Sequence, residues 1–188
     1  MDAFKEKFGN RYNLSASSIH SLLACMEVVR FKKKEIIVRE GTRNDNFYLV
    51  KTGIWRGHYL KDGVDMTIWF ATEGEAAFSV WGYVDHTYSQ ISIESMCDSV
   101  AYRISGAMLN ELFSSSIELA NLGRRLMEHQ FLSLENWLIS AGSPRAKERY
   151  LTLIKETPEL LQWVPLKHIA SYLWITPQSL SRIRAEIR

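Results

Sequence analysis

The spacing of apolar positions changes twice along the chain. Up to about residue 27 it is helical, with Ile19, Leu22, Leu23 and Met26 on one face and Ser17 or Ser18 as the cap. From Val28 to about Ser105 the period is two, with short β-rich runs at residues 35–39, 47–51, 54–60, 66–71, 90–95 and 99–104. Turn signals separate them: Gly41-Thr-Arg-Asn-Asp, Lys51-Thr-Gly53, Lys61-Asp-Gly63 and Glu73-Gly-Glu75. Asp62-Gly63 between alternating runs is a hairpin signal, because a tight turn needs residues that accept positive φ. Many short strands so punctuated predict an antiparallel sandwich, roll or barrel.

From Gly106 the pattern is helical again. It predicts a helix over 107–113, a break at Ser114-Ser115-Ser116, and a long helix over 117–141. On the long helix Leu119, Leu122, Leu126, Gln130 (or His129), Ser133 and Trp137 form one stripe, and Met127, Phe131, Leu134 and Leu138 form another. One stripe is satisfied by the chain's own β domain; a second predicts a second body, most simply the same helix of another subunit, with Leu119, Leu122, Leu126, Gln130, Ser133 and Trp137 expected at the dimer helix. Burial of both stripes within one subunit is the alternative. Ser143-Pro144 is expected to cap a helix over 145–155 and Thr157-Pro158 a short one, with Gly142 as the domain boundary. The expected layout is a β-roll sensor domain with flanking helices at 1–113, a dimerisation helix at 114–141, and a C-terminal domain at 142–188.

That last stretch contains LKHIASYLWITPQSLSRIRAEI, residues 166–187. Pro165 can open a helix, since a first-turn residue needs no backbone donor, and Leu166, Ile169, Ala170 and Leu173 give it one apolar face. Thr176-Pro177 is an N-cap and first-turn pair that starts a second helix, with Leu180, Ile183 and Ile187 inward. Gln178, Ser179, Ser181, Arg182 and Arg184 point outward. Two helices joined by a tight turn, the second carrying Gln, Ser and Arg, are the layout of a helix-turn-helix. Gln can bond adenine twice and Arg guanine twice, while Ser reaches base edges or phosphates. A pair of packed surface helices is the alternative. Trp174 departs from the pattern, because Gly is the easy residue where such a turn takes positive φ.

Composition narrows the class. The chain has 188 residues, 46% hydrophobic and 23% charged, as in a soluble globular protein. It has no run of about 18 apolar residues, which argues against a membrane helix, and MDAFKEKFGNRYNL lacks the apolar core of a signal peptide. Cys25 and Cys97 are its only cysteines, which predicts a cytoplasmic location and no disulfide framework. The net charge of +2 is uneven: residues 142–188 hold eight Lys+Arg against four Asp+Glu, so the remaining residues hold 15 against 17. A basic end on a slightly acidic body fits contact with DNA through that end.

β-domain, long helix and helix-turn-helix, in that order, resemble the cyclic-AMP receptor protein and fumarate–nitrate regulator (Crp/Fnr) family over almost the full length. KKKEIIVREGTRNDNFYLVKTGIWRGHYLKDG, with Gly41 and Gly53 at its turns, is similar to that family's jelly-roll opening, and IASYLWITPQSLSRIR to its helix-turn-helix. The resemblance implies an α+β fold with an N-terminal cyclic-nucleotide-binding-like antiparallel β-roll, a long dimerisation helix and a winged-helix-like C-terminal domain. It implies a homodimer that binds a two-fold symmetric site on double-stranded DNA and regulates transcription, with RNA polymerase a candidate partner. Gln178 and Arg182 are expected to read bases, with Ser179, Ser181 and Arg184 on bases or phosphates. Lys167, His168, Thr176 and Pro177 are expected to position the helix on the backbone. The family continues into a β-hairpin wing, whereas here only Arg188 follows Ile187, so most of the wing is expected to be missing.

The ligand pocket departs from the family. The family's Gly-Glu pair grips a ribose, and an Arg some ten residues later binds the cyclic phosphate. Here Phe78-Ser79 stands at the pair and Ser89-Gln90 at the Arg position, and no Lys or Arg occurs between Lys61 and Arg103. A buried phosphate wants a fixed planar cation, so cyclic AMP is not expected. Phe70, Phe78, Ser79, Ser89 and Gln90 remain candidates to line a pocket for an unidentified small-molecule effector, against ordinary aromatic core filling. Two distant Cys cannot hold an iron–sulfur cluster, and the five His lack metal-ligand spacing, so no cofactor or metal is expected. No catalytic motif is present, which argues against an enzyme. The rival function is a sensor module that binds a ligand or protein and no longer reads DNA.

Overall fold

In the computed structural model, residues 3–142 and 145–187 are described. The chain opens with α1 (Ala3–Tyr12) and α2 (Ala16–Ala24), continues through eight strands interrupted by one helical turn, and closes on six further helices. The strands are β1 (Glu27–Phe31), β2 (Ile36–Val38), β3 (Phe47–Thr52), β4 (Trp55–Lys61), β5 (Val64–Ala71), β6 (Ala76–Ala77), β7 (Ser92–Ser95) and β8 (Ser99–Ile104), with α3 (Val80–Tyr83) between β6 and β7. They form two four-stranded antiparallel sheets, ordered β1-β8-β3-β6 and β2-β7-β4-β5. Neighbours distant in sequence make each sheet a roll rather than a meander.

All six anticipated strands are present, with ends shifted by a few residues. Two were missed: β1, whose alternation is broken by the exposed Val28, and β6, whose two alanines carry no periodicity. The turns fall at the expected glycines. Gly53 has φ +103 and packs so closely on Ser99 that an added Cβ would lie 2.5 Å from the Ser99 Cβ, so both conformation and space select glycine.

The N-terminal region holds two helices rather than one. Phe4, Phe8 and Tyr12 recur at four-residue steps on α1 and are buried, with Phe4 lying 5.2 Å from the Tyr102 ring. Ser15, not Ser17 or Ser18, caps α2: its Oγ accepts from the Ser18 amide at 3.2 Å. The remaining helices are α4 (Gly106–Ser115), α5 (Ile117–Gly142), α6 (Ala146–Glu156), α7 (Leu160–Trp163), α8 (Leu166–Tyr172) and α9 (Pro177–Ile187). The expected cap at Ser143-Pro144 lies outside the described residues. Thr157 closes α6 instead of capping α7, whose N-cap is Glu159.

Three apolar clusters hold these layers. The roll interior is filled by Val38, Tyr48, Val50, Trp55, Ile91 and Ile93. A second cluster packs α1, α2 and α4 on the roll and draws in Leu119, Leu122 and Leu126 from the first half of α5. The third joins Ile54, Met96 and Cys97 of the roll to Tyr150, Leu160, Ile169, Leu173 and Leu180 of the C-terminal helices, so the C-terminal segment shares a core with the roll. Leu122 is 0% exposed. Leu122→Ala is expected to destabilise the fold by about 2–5 kcal/mol, measured as a lowered urea midpoint at unchanged slope.

Candidate nucleic-acid interface and its seat on the roll

α8 and α9 form the helix-turn-helix, with Leu180 as its fully buried pivot. Thr176 caps α9 as its side-chain chemistry predicts, its Oγ1 accepting from the Ser179 amide at 3.1 Å. Gln178, Ser181 and Arg182 are exposed on one side of α9, together with Thr176 and Pro177 before them and Lys167 on α8. Ser179 and Arg184 are half-buried, and the Ser179 hydroxyl lies 3.0 Å from Thr176 Oγ1. Ile183 packs on the third cluster, whereas Ile187, expected inward, is 39% exposed at the helix end.

The turn takes the conformation that favours glycine, with Trp in place. Trp174 has φ +56. Its amide donates to Ser171 O at 3.0 Å and the Ile175 amide to Ala170 O at 3.0 Å, the paired bonds of a Schellman closure with Trp174 at the left-handed position. Left-handed backbone costs a side chain roughly 1–2 kcal/mol. The Trp174 ring packs on Trp137 of α5 at 5.2 Å between centroids, tilted by 48°, and aromatic pairs contribute about 0.5–1.5 kcal/mol beyond burial. The ring contact therefore offsets part of the strain and ties the turn to the long helix.

His168 is the one expected DNA contact that the structure turns inward. It is 7% exposed, and its Nδ1 lies 2.6 Å from Arg56 Nη1. Arginine only donates, so Nδ1 is the acceptor and the ring proton sits on Nε2. Arg56, itself 2% exposed, is the centre of a polar node. Its Nη1 and Nη2 hold both carboxylate oxygens of Asp65 at 2.7 and 3.1 Å, Nη1 reaches Thr67 Oγ1 at 3.1 Å, and Nη2 reaches Glu94 Oε2 at 2.8 Å. His58 completes the group, 3.6 Å from Asp65 and 3.8 Å from Glu94, with its ring nitrogens buried and unbonded.

A one-residue bulge aims this node. The β4–β5 register runs Gly57↔Trp69 and then His58↔Thr67, skipping Ile68. Trp69 and Ile68 pack into the roll cluster, while Thr67 and Phe70 turn toward the C-terminal helices. Gly57 makes room for this: a Cβ there would lie 2.2 Å from Trp69. β5 is also the edge of its sheet, and α8 covers it. Ser171 Oγ donates to Asp65 O at 2.9 Å and accepts from the Thr67 amide at 2.8 Å, so a side chain satisfies two ladder groups that have no strand partner. Beside this seam, Val64, Asp65 and Met66 face Lys167, Trp174, Ile175 and Pro177 across a cleft of about 420 Å3.

The node was not foreseen from the sequence. The signal was there: period two in β4 places Arg56 on the face opposite the buried Trp55, and a charged residue in such a run needs a covering partner.

The candidate effector residues do not line a common cavity. Phe70 lies outside the roll interior, 5.3 Å from the Tyr172 ring of α8. Phe78 is buried between Phe47 and Tyr83, at 5.1 and 5.3 Å. Ser79 caps α3 through the Gly82 amide at 3.3 Å. Ser89 Oγ donates to Ile91 O at 2.7 Å, so its hydroxyl closes a turn, and Gln90 is exposed and bonds Tyr88 O at 3.2 Å. Among the described residues Arg56 is the only buried Lys or Arg, and it faces α8.

The stripes of α5 are also redistributed. Leu119, Leu122 and Leu126 are consumed by the subunit's own core, Gln130 bonds Ala76 O at 3.3 Å, Ser133 is exposed, and Trp137 meets Trp174. The outward apolar face is the other stripe: Phe131 is 61% exposed, Leu134 49% and Leu138 55%.

Burial, and then the Arg56 charge, push the His168 pKa from 6.5 down to about 4. The unfolded chain thus binds a proton in a window where the folded chain does not. As pH falls from about 6.5 through about 4, the His168 contribution to stability is lost, and below that it is constant. Unfolding free energies of the wild type and His168→Asn, measured against pH, are expected to converge across that window.

Residues 28–116 match the cyclic nucleotide-binding domain family. Among solved structures the chain is similar to FixK2 from Bradyrhizobium japonicum, with a TM-score of 0.75, 19% identity, and coverage of 86% of this chain and 84% of that one. It is similar to a CooA variant from Carboxydothermus hydrogenoformans, with a TM-score of 0.70, 16% identity and coverage of 88% and 78%. A transcriptional regulator of the Crp/Fnr family from Eubacterium rectale gives a TM-score of 0.66, 19% identity and coverage of 91% and 82%. None of the curated proteins matches by sequence. Residues 28–116 have the β-roll of the cyclic nucleotide-binding domain family, and the chain as a whole has the fold of the Crp/Fnr-type transcriptional regulators.

Proposed function

We propose that this chain is a sequence-specific DNA-binding transcriptional regulator that acts as a homodimer on a two-fold symmetric operator. The observation that carries the reading is α9 itself: Gln178, Ser181 and Arg182 are exposed together while Leu180 behind them is fully buried. Such a helix is anchored by one face and offers bidentate base readers on the other. Lys167, Thr176 and Pro177 flank its start and supply backbone contacts, with Ser179 and Arg184 at the margin. His168 has no such role, since Arg56 holds it inside.

The division of labour follows the expected boundaries, with a β-roll unit at 1–113, a dimerisation helix at 114–141 and a DNA-binding unit at 142–188. The dimer face is Phe131, Leu134 and Leu138, which recur at three- and four-residue steps on α5, as a two-helix seam requires, while Met127 of the same stripe packs on the subunit's own core. A second copy also supplies the second reading head for a symmetric site. Cyclic AMP in the family's usual mode has no phosphate partner here: Ser89 spends its hydroxyl on Ile91 and Arg56 faces away. An activity of this kind places the protein in the cytoplasm with genomic DNA, with RNA polymerase a candidate partner; no helix among the described residues is long and apolar enough to cross a membrane.

Selection of bound duplexes from a random pool tests the reading, and a symmetric half-site pair is the expected product. Arg182→Ala is expected to relax preference at one base position per half-site, while Lys167→Ala weakens all sequences evenly and lowers the salt slope by about 1. Unchanged preference in Arg182→Ala would remove that residue from base readout. Leu134→Asp is expected to give a monomer by sedimentation with its thermal unfolding little changed, and to lose binding to paired half-sites. A Leu134→Asp dimer would refute the α5 seam.

A further inference from the structure

The contact between α8 and the roll has a property that burial alone does not require: it is directional. Ser171 Oγ makes two bonds to the β5 edge, at Asp65 O and the Thr67 amide, and Arg56 holds His168 one turn away on the same face of α8. Apolar contacts at the same seam, such as Phe70 on Tyr172, tolerate slip and rotation. Two backbone-directed bonds and a charge-assisted one do not. α8 and α9 share the core of Ile169, Leu173 and Leu180, so whatever fixes α8 fixes the recognition helix. Arg149 on α6 adds a bond to Leu173 O at 2.8 Å, carrying the same pose to the rest of the C-terminal unit.

We propose that Arg56 and Ser171 are positioning residues for the recognition helix, setting its pose on the roll without an effector between them. The proposal rests on the DNA-binding reading above. In a dimer the pose of each head sets the separation of the two half-sites, about 34 Å for one helical turn of DNA. Loosening the seam therefore broadens the permitted spacing without altering the bases that Gln178 and Arg182 read.

The test uses the full chain and a series of duplexes carrying the wild-type half-sites with the spacer lengthened or shortened. Arg56 is left in place, because removing it strands the Asp65 and Glu94 carboxylates and endangers the fold. Ser171→Ala removes both edge bonds, and His168→Leu removes the acceptor that Arg56 uses. His168→Asn keeps an acceptor at the equivalent position. The expected result is a wild-type preference for one spacer that shrinks roughly tenfold in Ser171→Ala and His168→Leu, with half-site sequence unchanged and the wild-type profile restored in His168→Asn.

Exchange of the Thr67 amide with solvent provides a second readout, independent of DNA. It is expected to be slow in the wild type and in His168→Asn, and faster in the other two variants. Faster exchange with an unchanged spacer profile overturns the proposal while leaving DNA binding intact. A wild type that selects no duplex sinks the DNA-binding reading instead. In that case Thr67 exchange decides whether these residues fix the pose of α8, and equal rates in all four proteins refute it.

Discussion

The edge of β5 is the constraint on which the rest of this structure depends. An uncovered sheet edge leaves backbone donors and acceptors without partners and invites pairing with other chains. Here a helix of the C-terminal segment covers it, and a serine hydroxyl substitutes for a neighbouring strand. The consequence reaches past sheet stability. Because α8 is half of the helix-turn-helix, satisfying the sheet also places α9.

Arg56 turns that placement into a tightly specified one. A buried guanidinium needs its charge and its donors matched, and breaking such a group typically costs about 3–5 kcal/mol. Asp65 and Glu94 match the charge, and Thr67 and His168 share Nη1 with Asp65, while the buried Nε is left without a hydrogen-bond partner among the described residues. His168 stays neutral for the same reason that it is useful: a cation beside it and little water around it leave only its acceptor form. His58 is held below its ordinary pKa by burial and by the same cation.

Much of the fold was legible in the chain. Period-two runs gave the strands, and the paired signals Thr176-Pro177 and Asp62-Gly63 gave a helix start and a hairpin, because each depends on local backbone chemistry. α1 escaped notice although Phe4, Phe8 and Tyr12 mark it at regular steps, since polar residues outnumber them between. The outward residues of α9 were legible, because a short amphipathic helix has only two faces to assign. His168 was not. Its helix position is as exposed as that of Lys167 in isolation, and only the arrival of β4 and β5 from a hundred residues upstream buries it. Leu119, Leu122 and Leu126 failed similarly: periodicity says that a stripe is apolar, not which body covers it. The Phe70 assignment failed on register, because a skipped residue reverses which positions of a strand face inward.

That skipped residue, Ile68, sets which body each face of β5 meets. A strand with unbroken alternation would carry Thr67 and Asp65 into the roll and leave Arg56 facing bare helix. Leaving Ile68 unpaired keeps Thr67 and Asp65 on the Arg56 side, whereas pairing every residue of β5 in turn would reverse both faces. The joint between the roll and the C-terminal helices therefore depends on where one residue of β5 is left without a partner, and not only on which side chains the strand carries.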